Sequence, residues 1–467
     1  MNLMEKIISL TKRRGFIYPG SEIYGGFAGT YDFGPYGVEL RRNIIDMWLK
    51  AMREDDDIAL LDSSIFYAPK VWEASGHTSG FTDLLVVCNG CRTKYRADHF
   101  LESIGIKADE RMSETQIDEI FNANRNKIIC PACGKKDFSE ARAKNLLVSS
   151  NLGVLEGNEQ EVYLRGETAQ GIYINFKNVL DTGFYSVPFG IAQVGKVFRN
   201  EISPRQFLFR MREFEQMEMQ YFTYPEKAKE TYAAWKTKRM AYYYNLGVKK
   251  EKLRWKRHDN LSFYAKDAWD IQYEYPFGWG ELEGLHYRGD YDLTQHQKFS
   301  GADMSVYDEA KKEHFMPHII EASVGVERAM LMLLAEAYDE DEMNGEKRVV
   351  IRFAPAMAPI KTAVFPLLKN KPELIQKAKE VYKMVKKEIP QSMFDDNGNI
   401  GKRYRRQDEI GTITTITVDF ETFDNNTVTL RDRDSAKQIR VSISRLTNTI
   451  KEIIDGRLFS TFPPEVI

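Results

Sequence analysis

Residues Gln193 to Tyr221 read QVGKVFRNEISPRQFLFRMREFEQMEMQY, and the fold turns on this stretch. Before Ile202 the residues alternate as a strand does; Ser203-Pro204 marks a turn, and the alternation then resumes. An antiparallel hairpin is predicted. A period of two puts Arg210, Arg212, Phe214, Gln216, Glu218 and Gln220 on one face, and Phe209, Met211, Met217, Met219 and Tyr221 on the other. The second face reads as core. On the preceding strand Arg199 and Glu201 share a side. Arginine offers a planar fork matched to phosphate oxygens, and a phenylalanine among polar neighbours can stack on a purine. A solvated, salt-bridged hairpin is the plainer alternative, but it accounts less well for this density of Arg, Glu and Phe.

Two further segments point the same way. His318 to Arg328, HIIEASVGVER, reads as a buried strand that ends at Gly325 and passes into an apolar helix. Glu321 and Ser323 share a face of that strand. Arg328 lies in the first helical turn, where anions are favoured. In Trp279-Gly-Glu281-Leu282-Glu283, strand alternation aligns Glu281 and Glu283, a pair suited to magnesium beside phosphates; an edge strand with exposed acids is the alternative, and the triplet alone favours it.

The 467 residues exceed what one core usually organises, so two or three domains are expected. A net charge of −2 means that any nucleic acid must be held by local basic patches. No apolar run of about 18 residues exists, so no membrane span is expected. The opening MNLMEKIISLTKRRGF lacks the features of a cleaved leader, which suggests a cytoplasmic chain. All four cysteines fall in two CxxC pairs, Cys88/Cys91 and Cys130/Cys133. Two such knuckles suit tetrahedral zinc; four reduced thiols without metal are the alternative.

Residues 1–343 read as one catalytic domain, with a polar insertion at about 88–144 bracketed by the cysteines. Ser113–Phe121 within it has a helical pattern. Asp339 to Arg348 is hydrophilic and reads as a linker. Residues 349–467 then form a small α/β domain, with a helix at about Pro372–Glu388. Its basic run Gly401-Lys-Arg-Tyr404-Arg-Arg406 interleaves an aromatic with arginines, as single-stranded RNA readers do; a merely exposed loop is the alternative.

Together, Gly34-Pro35 with the helix after it, Phe198-Arg199-Asn200-Glu201 through Phe214, and Gly325-Val326-Glu327-Arg328 resemble the three motifs of class II aminoacyl-tRNA synthetases. Within the class, YDFGPYGVEL, LRGETAQGIYINFKNV, RGDYDLTQHQKFSG and GKRYRRQDEIGT are similar to strings of the homodimeric glycyl-tRNA synthetase family. The resemblance covers nearly the whole chain. It implies an α+β fold: an antiparallel sheet flanked by helices, a zinc-ribbon-like insertion and a C-terminal α/β anticodon-binding domain. It implies a homodimer, ATP with Mg2+, tRNA(Gly) as partner and a structural zinc, which some members of the family keep.

By the same resemblance, Arg199 and Arg328 are the catalytic cations, on the α- and γ-phosphates of ATP. Asn200, Glu201, Phe209, Arg210, Arg212, Phe214, Glu281, Leu282 and Gly325 complete the ATP site. Arg96, Glu167, Glu218, Glu321 and Ser323, with Phe214 and Gly325, form the glycine site. Gly166, Ala322 and Ile413 stand where the family usually has proline, which loosens the local backbone. The alternatives are a seryl, threonyl or prolyl enzyme of the same class, a non-catalytic RNA-binding relative, and an adenylate-forming enzyme with a non-tRNA acceptor.

Overall fold

A computed structural model describes all residues except Asp55, Asp56, Lys107, Asp109, Glu110, Arg111, Leu155, Glu156, Asn260, Phe263, Asn344 and Ile467; the side chains of Glu465 and Val466 are likewise left undescribed. Its centre is a seven-stranded sheet. The strand order is Leu253–Arg257, Asp267–Tyr275, Gly278–Gly289, His318–Gly325, Glu213–Thr223, Phe189–Phe198 and Ile58–Leu60. Every neighbouring pair is antiparallel except the last. The predicted hairpin pairs Phe189–Phe198 with Glu213–Thr223, Phe198 opposite Glu213.

The two faces of this sheet differ because the strands alternate. Met217, Met219, Ile320, Ala322 and Leu285 enter the main core. The helices Ala228–Asn245 and Val326–Ala337 cover that side. The helix Pro35–Met52 starts at Gly34 with proline in its first turn, where a missing N–H costs nothing. It buries Leu40, Ile44, Trp48 and Met52 and packs against Val326–Ala337. Gly37 has to be glycine here, since a Cβ would stand 1.9 Å from the Phe16 carbonyl oxygen.

The insertion folds around a three-stranded sheet of Lys94–Arg96, Thr82–Val87 and Arg142–Asn145. Its helix Glu114–Ala123 carries a capping box from Ser113. The C-terminal sheet has the order Ser392–Phe394, Thr362–Pro366, Thr414–Val418, Thr427–Asp432, Gln438–Ser442 and Glu465–Val466. The expected helix over Pro372–Glu388 is present.

Two expectations need correction. The hydrophilic stretch from Asp339 to Arg348 is not a linker: Tyr338–Met343 and Glu346–Ile351 pair as a hairpin. Arg348 is fully buried in it, 3.3 Å from Asp408 and 2.8 Å from the Arg433 carbonyl. Arg431 reaches the same Asp408 at 3.0 Å. The basic run 401–406 is not a loop but lies in the helix Ile400–Ile410. Arg403 is buried against backbone carbonyls, Arg406 pairs with Asp395, and the Tyr404 hydroxyl bonds Thr417. Tyr404 is therefore a packing residue. Arg13 and Arg14, at the end of the first helix, both contact Glu409 of that helix. Among the described residues no helix is long and apolar enough to cross a membrane.

Candidate active site

The polar face of the sheet opens into a cleft between the hairpin and the start of the helix Val326–Ala337. Arg199, Glu201, Phe209, Arg210, Phe214, Glu281, Ser323, Gly325 and Arg328 all line it. The Arg199 guanidinium is held between two rings, 5.3 Å from Phe214 and 5.2 Å from Phe81, and its Nε donates to the Gly166 carbonyl at 3.0 Å. Arg328 lies over Phe209 at 4.6 Å and pairs with Glu281 at 2.9 Å. Arg210 stands 3.3 Å from Glu201. The cleft thus carries three cations and an aromatic platform on a rigid sheet, which is the equipment for a polyphosphate and a flat base.

Three glutamates converge beside it. Gln220 Nε2 donates to Glu218 at 2.8 Å and to Glu321 at 2.9 Å. Thr168 Oγ1 donates a short bond to Glu218. Glu321 is paired with Arg288 and His286, at 2.9 and 2.7 Å. Glu167 receives Gln170 Nε2 at 2.8 Å and faces His77 at 3.3 Å. These surroundings split the three in charge. Burial works to raise all of them. In Glu167 it is outweighed chiefly by His77, and in Glu321 by Arg288, which holds that carboxyl at about 2. Among the described residues no cation pairs directly with Glu218; Thr168 and the more distant Arg288 only partly offset burial, Glu321 and Glu167, which push it well above the usual carboxylate range. The cluster is short of positive charge at Glu218.

Some expected residues stand outside the cleft. Arg212 is occupied by the carbonyls of Glu201 and Ala28, at 2.9 Å each. Asn200 is exposed; the Leu282 side chain is buried in the core, which leaves only its backbone, the part expected to face ATP, for that role. Arg96 is buried between Asp83 and Asp98, at 3.1 and 2.8 Å. Burial raises Asp83 to about 6, and its neighbours include Glu201 and Arg210, so Arg96 stands one layer behind the cleft.

Glu281 and Glu283 do not share a face. Leu282 is a β-bulge: Gln272 opposes Glu281 and Ile271 opposes Glu283. Glu283 turns to the core side, where Arg239 reaches it at 2.5 Å, as does the Tyr243 hydroxyl. A paired-carboxylate magnesium site is therefore not formed, and Glu281 alone faces the cleft. Sequence reasoning gave no role to His77, Thr168, His286 and Arg288. Only the strings LRGETAQGIYINFKNV and RGDYDLTQHQKFSG, which hold Thr168 and Arg288, had drawn attention to these segments.

In the insertion, the four cysteine sulfurs lie within 4.8 Å of one another, with Cys88–Cys133 and Cys91–Cys130 at 3.6 Å. Such spacing is close to the edge of a tetrahedron of thiolates around an ion with metal–sulfur bonds of about 2.3 Å. The residues present fit zinc.

Residues 153–337 match the tRNA synthetase class II core domain (G, H, P, S and T), and residues 361–453 the anticodon binding domain. The chain is 47% identical to a glycine–tRNA ligase of Clostridium kluyveri, over 97% of this chain and 98% of that one. It is 45% identical to one of Caldanaerobacter subterraneus, over 96% and 98%. A third, from Borrelia garinii, is 46% identical over 96% and 97%.

Proposed function

The chain belongs to the glycine–tRNA ligase family, and on that premise we propose that it activates glycine with ATP to glycyl-adenylate and transfers glycine to the 3′ end of tRNA(Gly). The observation that carries this reading is the charge shortfall at Glu218, beside a cleft of arginines. An ammonium placed among Glu167, Glu218 and Glu321 supplies the missing cation. Glycine offers only an ammonium, a carboxylate and an absence of bulk. Gln216, tied to Ser323 at 3.3 Å and to the Thr168 N–H at 3.1 Å, walls the space where a side chain would go. Rejection by clash needs no editing site.

In this reading the glycine carboxylate attacks the α-phosphate, and Arg199 stabilises the charge that grows there. Phe214 stacks on the adenine, Glu201 lies by its amino group, and Arg328 exchanges Glu281 for the γ-phosphate. Arg210 adds a further cation. Glu281 is the cleft carboxylate that would help to hold a Mg2+ ion, which would supply positive charge for the leaving pyrophosphate. The terminal ribose hydroxyl of the tRNA then attacks the adenylate carbonyl. Neither step needs a protein nucleophile, so positioning and electrostatics supply the rate.

We assign Cys88, Cys91, Cys130 and Cys133 to a structural zinc, residues 1–343 to catalysis and residues 349–467 to the anticodon. A homodimer built on the segment before and through Pro35–Met52 accounts for the strong exposure of Ile23 and Tyr24. We assign the chain to the cytoplasm, a reading that the sequence of its first residues supports. ATP–pyrophosphate exchange with glycine, alanine and serine in parallel tests the central reading. Exchange with glycine alone is expected; none with glycine would end it.

A further inference from the structure

Three neighbouring strands at one edge of the central sheet each bring one metal-ligating side chain to the same spot. His258 follows Leu253–Arg257, and its N–H bonds the Ala268 carbonyl at 3.0 Å. Asp270 lies on Asp267–Tyr275 and His286 on Gly278–Gly289. Ala268 is opposite His286, and Asp270 opposite Gly284, so alternation puts all three side chains on one face. Their ligand atoms lie within 4.8 Å of one another. His258 Nε2 is 2.9 Å, and His286 Nε2 3.9 Å, from Asp270 Oδ1.

We propose that His258, Asp270 and His286 form a second metal site, for a divalent ion of the zinc class, distinct from the cysteine cluster. Three observations carry it besides proximity. Both Nε2 atoms are buried and unsatisfied, with only the Asp270 carboxylate near them, at 2.9 and 3.9 Å. His286 engages Glu321 through Nδ1 at 2.7 Å. With the proton on Nδ1, the Nε2 lone pair is left for an ion, as in carboxylate–histidine–metal arrangements. Lastly, Gly284 leaves the space beside the ligands open: a Cβ there would lie 3.1 Å from His286 Nε2 and 3.7 Å from Asp270 Oδ1.

Two imidazoles and a carboxylate are a three-ligand zinc set with a free fourth position for water or a small ligand. The approaches of 2.9 and 3.9 Å to Asp270 bracket the spacing of about 3.3 Å expected for bonds of about 2.0–2.1 Å. Because His286 also holds Glu321, an ion here stiffens one carboxylate of the proposed ammonium pocket. That consequence rests on the glycine reading; binding of the ion does not.

The test is metal stoichiometry on the full-length chain. Metal-stripped protein is titrated with Co2+, and the equivalents bound are compared in the unmodified chain, His258→Ala and Asp270→Asn, each with and without Cys130→Ser. One equivalent fewer is expected in His258→Ala and in Asp270→Asn, in both backgrounds. In Cys130→Ser the remaining cobalt should show only the weak visible bands of nitrogen and oxygen ligation, without sulfur charge transfer. His258→Gln, with circular dichroism as the fold control, repeats the comparison should His258→Ala unfold. Equal stoichiometry in folded His258 variants and the unmodified chain overturns the proposal, whether or not glycine is activated.

Discussion

Glu218 and Glu321 share a single donor, the Gln220 amide, which reaches Glu218 Oε1 at 2.8 Å and Glu321 Oε2 at 2.9 Å. One neutral amide between two buried carboxyls cannot neutralise both. Arg288 and His286 satisfy Glu321, so Glu218 is the one left to attract a cation. Glu218→Gln should therefore weaken glycine more than ATP. A charge-assisted hydrogen bond of roughly 1.5–3 kcal/mol corresponds to a rise of about 10- to 150-fold in KM for glycine. The same variant should melt higher than the unmodified chain when ligand-free, because it removes a carboxyl whose ionisation burial opposes. An unchanged glycine KM would rule out Glu218 as an ammonium ligand.

Arg199 is half-buried between Phe81 and Phe214, and its guanidinium is anchored by a single backbone carbonyl. Arg199→Ala should leave the circular dichroism spectrum unchanged and lower glycine-dependent exchange by on the order of 10²–10³ or more, the scale for losing a preorganised charge at a reacting centre. Exchange near the original rate would show that another cation holds the α-phosphate.

Glu327 offers a pH test of stability. It is buried beside the cleft, where Oε2 accepts the Glu215 N–H at 3.0 Å, and burial pushes its carboxyl up to about 7. Its folded value lies above its unfolded one, so the folded chain holds the proton more tightly. The stability from this group is present below about pH 4.5 and fades as pH rises through about 7. Glu327→Gln keeps an acceptor and removes the titration. Its stability relative to the unmodified chain should climb by about 3 kcal/mol, to order of magnitude, between pH ~4.5 and ~8. Denaturant melts across that window read the difference directly; parallel curves would contradict it.

The insertion has a small core of its own, with Val86, Phe100, Leu101, Ile117 and Ile128. Cores of that size lean on staples. Cys130→Ser should lower zinc content by one ion per chain and make the insertion the first site of proteolysis. Equal zinc in the two proteins would sink the structural-zinc assignment.

Much of the site was legible because strand period and chemistry coincide. Arg199, Phe214, Glu218, Glu321 and Ser323 follow from alternation along three strands. Glu283 was misread because one extra residue, Leu282, reverses the alternation, and a bulge leaves no composition signal. Tyr404 and the arginines around it look like an RNA-binding run, yet their partners are Asp395, Thr417 and backbone carbonyls distant in sequence. Arg348 looked like part of a linker for the same reason, since Asp408 is far along the chain. His77, His286 and Arg288 act by where the fold brings them, the last two from one strand and His77 from a distant segment.

The buried contact of Arg348 and Arg431 with Asp408 has a mechanical side. With Arg13 and Arg14 on Glu409 one residue on, the helix Ile400–Ile410 is bolted both to the hairpin and to the first helix of the chain. Two adjacent carboxylates, Asp408 and Glu409, thus act as a pair of rivets set back to back, each fastening the same helix to a different neighbour.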